Sequence, residues 1–161
     1  MESEAIVWGC KTTLEKFRPG DDEPYEAIHE DGNLLLYGGA SAVWERFIGT
    51  AINAYNNANS YIGVGSGSTA ALATQTALVG PSFAYNPMVA TYPQHTDGTA
   101  VANASIVFKS SYAVGEALFA WNEWGLFNAA AGAGRLLNRK VVNYGTKGAE
   151  VWTLTVTLSV G

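Results

Sequence analysis

The segment Val151–Val160 alternates without a break. Trp152, Leu154, Val156, Leu158 and Val160 share one parity; Val151, Thr153, Thr155, Thr157 and Ser159 share the other. Successive side chains of a strand point to opposite faces, so ten residues of strict alternation describe a half-buried β-strand. Trp152, Leu154, Val156 and Leu158 are its expected core residues. Three further β segments precede it, at 101–111, 117–127 and 136–144. Between them lie Gly115, the Ala/Gly run 129–134 and the turn 145–148. Strands joined by short glycine-marked turns predict a mainly β chain, an antiparallel sandwich or barrel-like body. Tyr61–Gly65 reads as another strand. Pro81, Pro87 and Pro93 then confine the next segment to a sheet edge. With nothing downstream to cover it, 151–160 would be open to pairing with another subunit if it lay at a sheet edge.

One helix is predicted, over 41–49, with Ser41 as its N-cap. Val43, Trp44, Phe47, Ile48, Ala51 and Ile52 recur at helical spacing with Glu45 and Arg46 opposite. The apolar stripe is expected to face the core, which makes both Trp44 and Trp152 core residues.

Composition excludes several classes. Hydrophobic residues are 48% and charged residues 14% of the chain, the reverse of a disordered segment. No apolar run approaches the roughly 18 residues of a membrane helix. Met1-Glu2-Ser3-Glu4 lacks the basic and apolar regions of a secretory leader. The single Cys10 excludes an internal disulfide and a cysteine-based zinc site. A net charge of −5 argues against simple nucleic-acid binding.

The charge is also uneven. Residues 1–31 hold nine acids (Glu2, Glu4, Glu15, Asp21, Asp22, Glu23, Glu26, Glu30, Asp31) against Lys11, Lys16 and Arg18. The remaining 130 residues hold five acids and six bases. Residues 1–31 therefore read as an extended acidic assembly arm, with Trp8, Phe17 and Tyr25 as apolar anchors. Residues 32–161 read as a separate β-rich body that folds without the arm. A body so poor in charge suggests a surface occupied by partners.

No catalytic, cofactor or metal site emerges. Gly63-Val64-Gly65-Ser66-Gly67-Ser68-Thr69 lacks the lysine of a phosphate loop and reads as a turn where two backbones approach. His29 and His95 have no neighbouring ligand at metal spacing. Asp21-Asp22-Glu23 lacks the alternating ligands of a calcium loop and reads as a solvated acidic turn or a partner for a basic surface. Glu116 and Glu123 could form a glycosidase pair, but one continuous strand would place them on opposite faces. Glu123 suits a hydrogen-bonding carboxylate paired with Arg135 or Arg139. Trp121 and Trp124 differ in parity, so one is expected outside as an interface anchor.

The strings Tyr61–Ala70, Gln75-Thr76-Ala77-Leu78, Trp121-Asn122-Glu123-Trp124-Gly125-Leu126-Phe127-Asn128, Leu137-Asn138-Arg139-Lys140-Val141 and Trp152–Leu158 together resemble a family of small structural proteins of tailed bacteriophages. The resemblance covers about residues 32–161. It implies a virion protein without catalytic residues. The small size, charge-poor body and acidic arm favour a capsid decoration or cement protein, assembled in the host cytoplasm and bound outside the major capsid protein as a homodimer or homotrimer. The expected partner-binding residues are Trp8, Phe17, Tyr25, Trp121, Trp124, Arg135 and Arg139. The alternative is a tail, baseplate or fibre module that binds a receptor or carbohydrate, since Gly125-Leu126-Phe127 also looks like part of a tail-fibre attachment domain.

Overall fold

The computed structural model describes residues 8–100 and 103–160. In chain order its elements are β1 (Trp8–Phe17), β2 (Glu26–Asp31), β3 (Leu34–Leu35), α1 (Tyr37–Phe47), β4 (Tyr61–Gly65), β5 (Phe83–Pro87), β6 (Gln94–Thr96), β7 (Ala104–Tyr112), β8 (Ala120–Phe127), β9 (Leu136–Thr146) and β10 (Val151–Val160). They form two five-stranded antiparallel sheets, ordered β2-β1-β10-β7-β6 and β3-β9-β8-β4-β5. The chain is mainly β with one helix, and its body is sandwich-like.

The core lies between the sheets. Leu14, Phe108, Trp152, Leu154 and Val156 from the first sheet meet Ile62, Val64, Trp121, Trp124 and Leu126 from the second. At its centre Trp121 packs edge-on against Tyr112 and Trp152, with ring centroids 4.7 and 4.9 Å away. The buried Tyr112 hydroxyl donates to the Ile62 carbonyl at 2.5 Å. Trp152, Leu154, Val156 and Leu158 are buried as their alternation predicts. Pro87 ends β5, an edge strand, where a residue without an N–H costs no ladder bond.

Four sequence expectations need correction. First, β10 is not an edge. It pairs along its whole length with β1 on one side and with β7, over 152–160, on the other. Second, residues 8–31 do not lie apart from the body: β1 and β2 are strands of its first sheet. Every residue of β1 pairs with β10, and Leu14 is wholly buried, with Cys10, Thr12 and Lys16 nearly so. Thr12 and Leu14 alternate with Thr13 and Glu15, so a charged strand still offers one inward face. Residues 8–17 and 26–31 are thus strands of the body's first sheet rather than an arm beside it; residues 1–7 of the proposed arm lie outside the described residues, as does Val101. Third, the helix starts four residues early, running through Gly38 and Gly39, and Ser41 caps nothing. Its N-cap is Leu36, with no side-chain bond. Fourth, Trp121 and Trp124 both face the core. The β8–β9 register shifts between Trp121 and Glu123. That irregularity points Asn122 and Glu123 both outward and reverses the parity of the two tryptophans.

Candidate docking surface

The segment 66–82 crosses the outer face of the second sheet, and a buried ion pair holds it there. Arg139 Nε donates to Glu123 Oε2 at 2.7 Å, with both side chains fully buried. Glu123 also accepts the N–H groups of Gly67, Val79 and Gly80 at 2.8–3.1 Å. Arg139 donates onward to Gln75 Oε1 and the Thr69 carbonyl, at 3.0 and 2.9 Å. Each charge is thus paired and each carboxylate oxygen occupied, the condition under which a buried pair is tolerated. A Cβ on Gly67 would meet Glu123 Oε1 and the Gly80 nitrogen at 2.5 Å, so glycine is required for this close approach. The glycine-rich string lets two backbones approach, with Gly67 against Gly80. Leu78 fills a second small core beneath the segment with Leu36, Phe127 and Leu136.

Two other candidate groups make local contacts. Glu116 accepts the Ala113 N–H at 2.7 Å and Asn86 Nδ2 at 2.9 Å, closing an exposed turn away from Glu123. His29 bonds Thr13 across the β1–β2 ladder. Burial pushes the Cys10 thiol up to about 12, which leaves it a protonated core residue at neutral pH. Among the described residues no three His, Cys, Asp or Glu side chains converge as metal ligands, and no helix is long and apolar enough to cross a membrane.

The surface of α1 is different in kind. Its buried residues are the small ones, Gly39 and Ala42. Gly39 lies against the Leu137 backbone, where any Cβ would collide, so the helix rides directly on β9. Its large residues point away: Tyr37 is 68% exposed, Trp44 65%, Phe47 81% and Ile48, the C-cap, 81%. The apolar stripe predicted over 43–52 is real, but it faces solvent, and Trp44 is not a core residue. A helix seated on glycine and alanine has no room on the inner side for larger side chains. Beside this face opens an apolar groove of about 530 Å³, lined by Trp8, Leu35, Val43, Trp44, Phe47 and Val160.

The seven sequence-predicted partner residues do not form one site. Trp8 lines the groove, and its Nε1 donates to Asn33 Oδ1 at 3.3 Å. Arg135 flanks α1 through an ion pair with Glu45 at 3.2 Å. Phe17 and Tyr25 stand at the far end of β1, roughly 30 Å from Trp8 at about 3.3 Å per residue. There the Arg18 guanidinium lies 4.7 Å from the Tyr25 ring centroid. Trp121, Trp124 and Arg139 are wholly buried and cannot touch a partner. Sequence reasoning missed Tyr37, Val43, Phe47 and Ile48 as surface residues. The small-residue positions Gly39 and Ala42, on the opposite side of the same helix, were the available signal. No protein-family model, no curated protein and no solved structure matches this chain.

Proposed function

We propose that this chain is a virion structural protein without enzymatic activity, a capsid decoration or cement subunit that binds outside the major capsid shell. The observation that carries the reading is the α1 face, which marks the chain as a subunit that works in an assembly rather than alone. Large apolar side chains cover it, on a body with few charges, and such patches mark interaction surfaces. Of the candidate acids and bases, Glu123 and Arg139 are committed to each other and Glu116 to its own turn. Among the residues behind the phage resemblance, Trp121, Trp124, Leu126, Phe127 and Leu137 pack in the core, and Glu123 and Arg139 form the ion pair. Cementing needs contacts that form only on the assembled shell and stabilise it by mass action.

Copy number in purified virions tests the reading. Hundreds of copies per particle, with heads that fail sooner on heating when the protein is stripped and adsorption unchanged, is the expected result. A few to tens of copies, with lost adsorption and normal head stability, assigns the chain to the tail instead.

A further inference from the structure

We infer that the α1 face is a self-association surface, on which a second copy of this chain docks across a two-fold axis. At about 100° per residue, Tyr37, Val43, Trp44, Phe47 and Ile48 fall within an arc of about 140° on one side of α1. Glu45 and Arg46, the only charges of the helix, lie outside that arc. The face is therefore apolar and uncharged from the first turn to the C-cap.

Its size fits a second copy. Full aromatic side chains bury 150–250 Å², so the observed exposures amount to about 600 Å² of apolar surface per chain. That is at or above the largest patch, about 300–600 Å², that a monomer ordinarily carries. Doubled across a two-fold, it gives about 1,200 Å², the lower bound of a standard specific interface. Its shape fits as well. An isologous interface needs a projection and its receptor on the same patch. Here Phe47 and Ile48 project, and the groove bordered by Trp8, Leu35 and Val160 lies beside them. The volume of that groove accommodates an aromatic ring from a facing helix. A partner read through charge would find none within the arc.

The inference deepens the assembly reading by naming its homotypic surface, yet it is measured on the purified chain alone, independently of copy number in virions. Sedimentation velocity over a concentration series should show a species of two chains. Phe47→Glu and, separately, Trp44→Ala should each weaken the association at least tenfold while leaving circular dichroism unchanged. Should either variant misfold, a photo-cross-linkable phenylalanine analogue at position 47 reads the contact directly in an otherwise unaltered chain. Cross-links to α1 or the groove of a second copy are expected. A wild-type chain that stays monomeric at all accessible concentrations overturns the proposal. So does a dimer indifferent to both substitutions, or position-47 cross-links confined to the same chain or to another surface.

Discussion

Two faces of the second sheet's surroundings treat polarity in opposite ways. Beneath segment 66–82, a carboxylate and a guanidinium are buried completely; on α1, a tryptophan, a phenylalanine and an isoleucine stand in solvent. Both arrangements oppose the simple rule that apolar side chains go in and charges stay out. The first is self-sufficient, because Glu123 and Arg139 satisfy one another and collect five further hydrogen-bonding groups from the segment they hold. The second has no such completion within the described residues. Where a chain satisfies an unusual group internally, that group serves the fold. Where it leaves one unsatisfied at the surface, the group is free to serve another molecule, which is the proposal made for α1.

Removing half of the internal pair should produce the largest loss. Glu123→Ala strands a buried guanidinium and frees segment 66–82, and should cost about 3–5 kcal/mol by urea denaturation. A loss below roughly 1 kcal/mol, the worth of an exposed pair, would mean that the pair is hydrated and the contrast false.

The next contrast sets a buried leucine of β1 against an exposed phenylalanine of α1. Leu14→Ala should destabilise the chain by about 2–5 kcal/mol, because the side chain is fully buried in the core. Phe47→Ser should change the stability of the dilute chain by no more than about 0.5 kcal/mol, as expected of a surface substitution. Equal losses at the two positions would erase the distinction. A negligible loss at Leu14 would return β1 to the status of a detachable arm.

The smallest effect concerns acid. The Trp152 indole N–H donates to Glu150 at 2.7 Å and, with the Tyr25 hydroxyl, holds the Glu150 carboxyl below its ordinary range. The folded state thus binds this proton less readily than the unfolded chain. The resulting stabilisation is present above the ordinary carboxylate range and is lost as pH falls through the lowered value. Glu150→Gln should flatten the acid limb of the stability–pH curve slightly, with little change near neutrality beyond the loss of one partly exposed contact. An unchanged acid limb would detach Glu150 from the packing of Trp152.

These contrasts also explain how far the sequence could be read. Strand β10 was legible because its period-two pattern coincides with its real burial over Trp152–Leu158, and β4 because a short apolar run stands between an asparagine-rich stretch and Ser66-Gly67-Ser68. The pattern could not reveal the neighbours of β10, since pairing with β1 is a contact between the two ends of the chain. The acidic composition of 1–31 obscured β1, whose inward residues Cys10, Thr12, Leu14 and Lys16 are mostly not strongly apolar. Simple parity failed at Trp121 and Trp124 because a bulge reversed it. The stripe on α1 was legible as a stripe, but periodicity says which side chains lie together and nothing about which side faces inward. The helix-to-sheet distance decides that, and it is set by Gly39 against Leu137. Glu123 and Arg139 were recognisable as a possible pair; that they lock segment 66–82 depends on backbone N–H groups that carry no sequence signature.

The central claim is that α1 presents its bulky face outward and keeps it available for docking. The most direct measurement is acrylamide quenching of tryptophan fluorescence in the wild-type chain and in Trp44→Phe, at low and high protein concentration. The dilute wild-type chain should contain a readily quenched component that disappears in Trp44→Phe, because Trp121, Trp124 and Trp152 are buried and Trp8 is half-buried. At high concentration the same component should become protected. A quenchable fraction unaffected by the loss of Trp44 would contradict the account, placing the indole inside and the α1 stripe against the core.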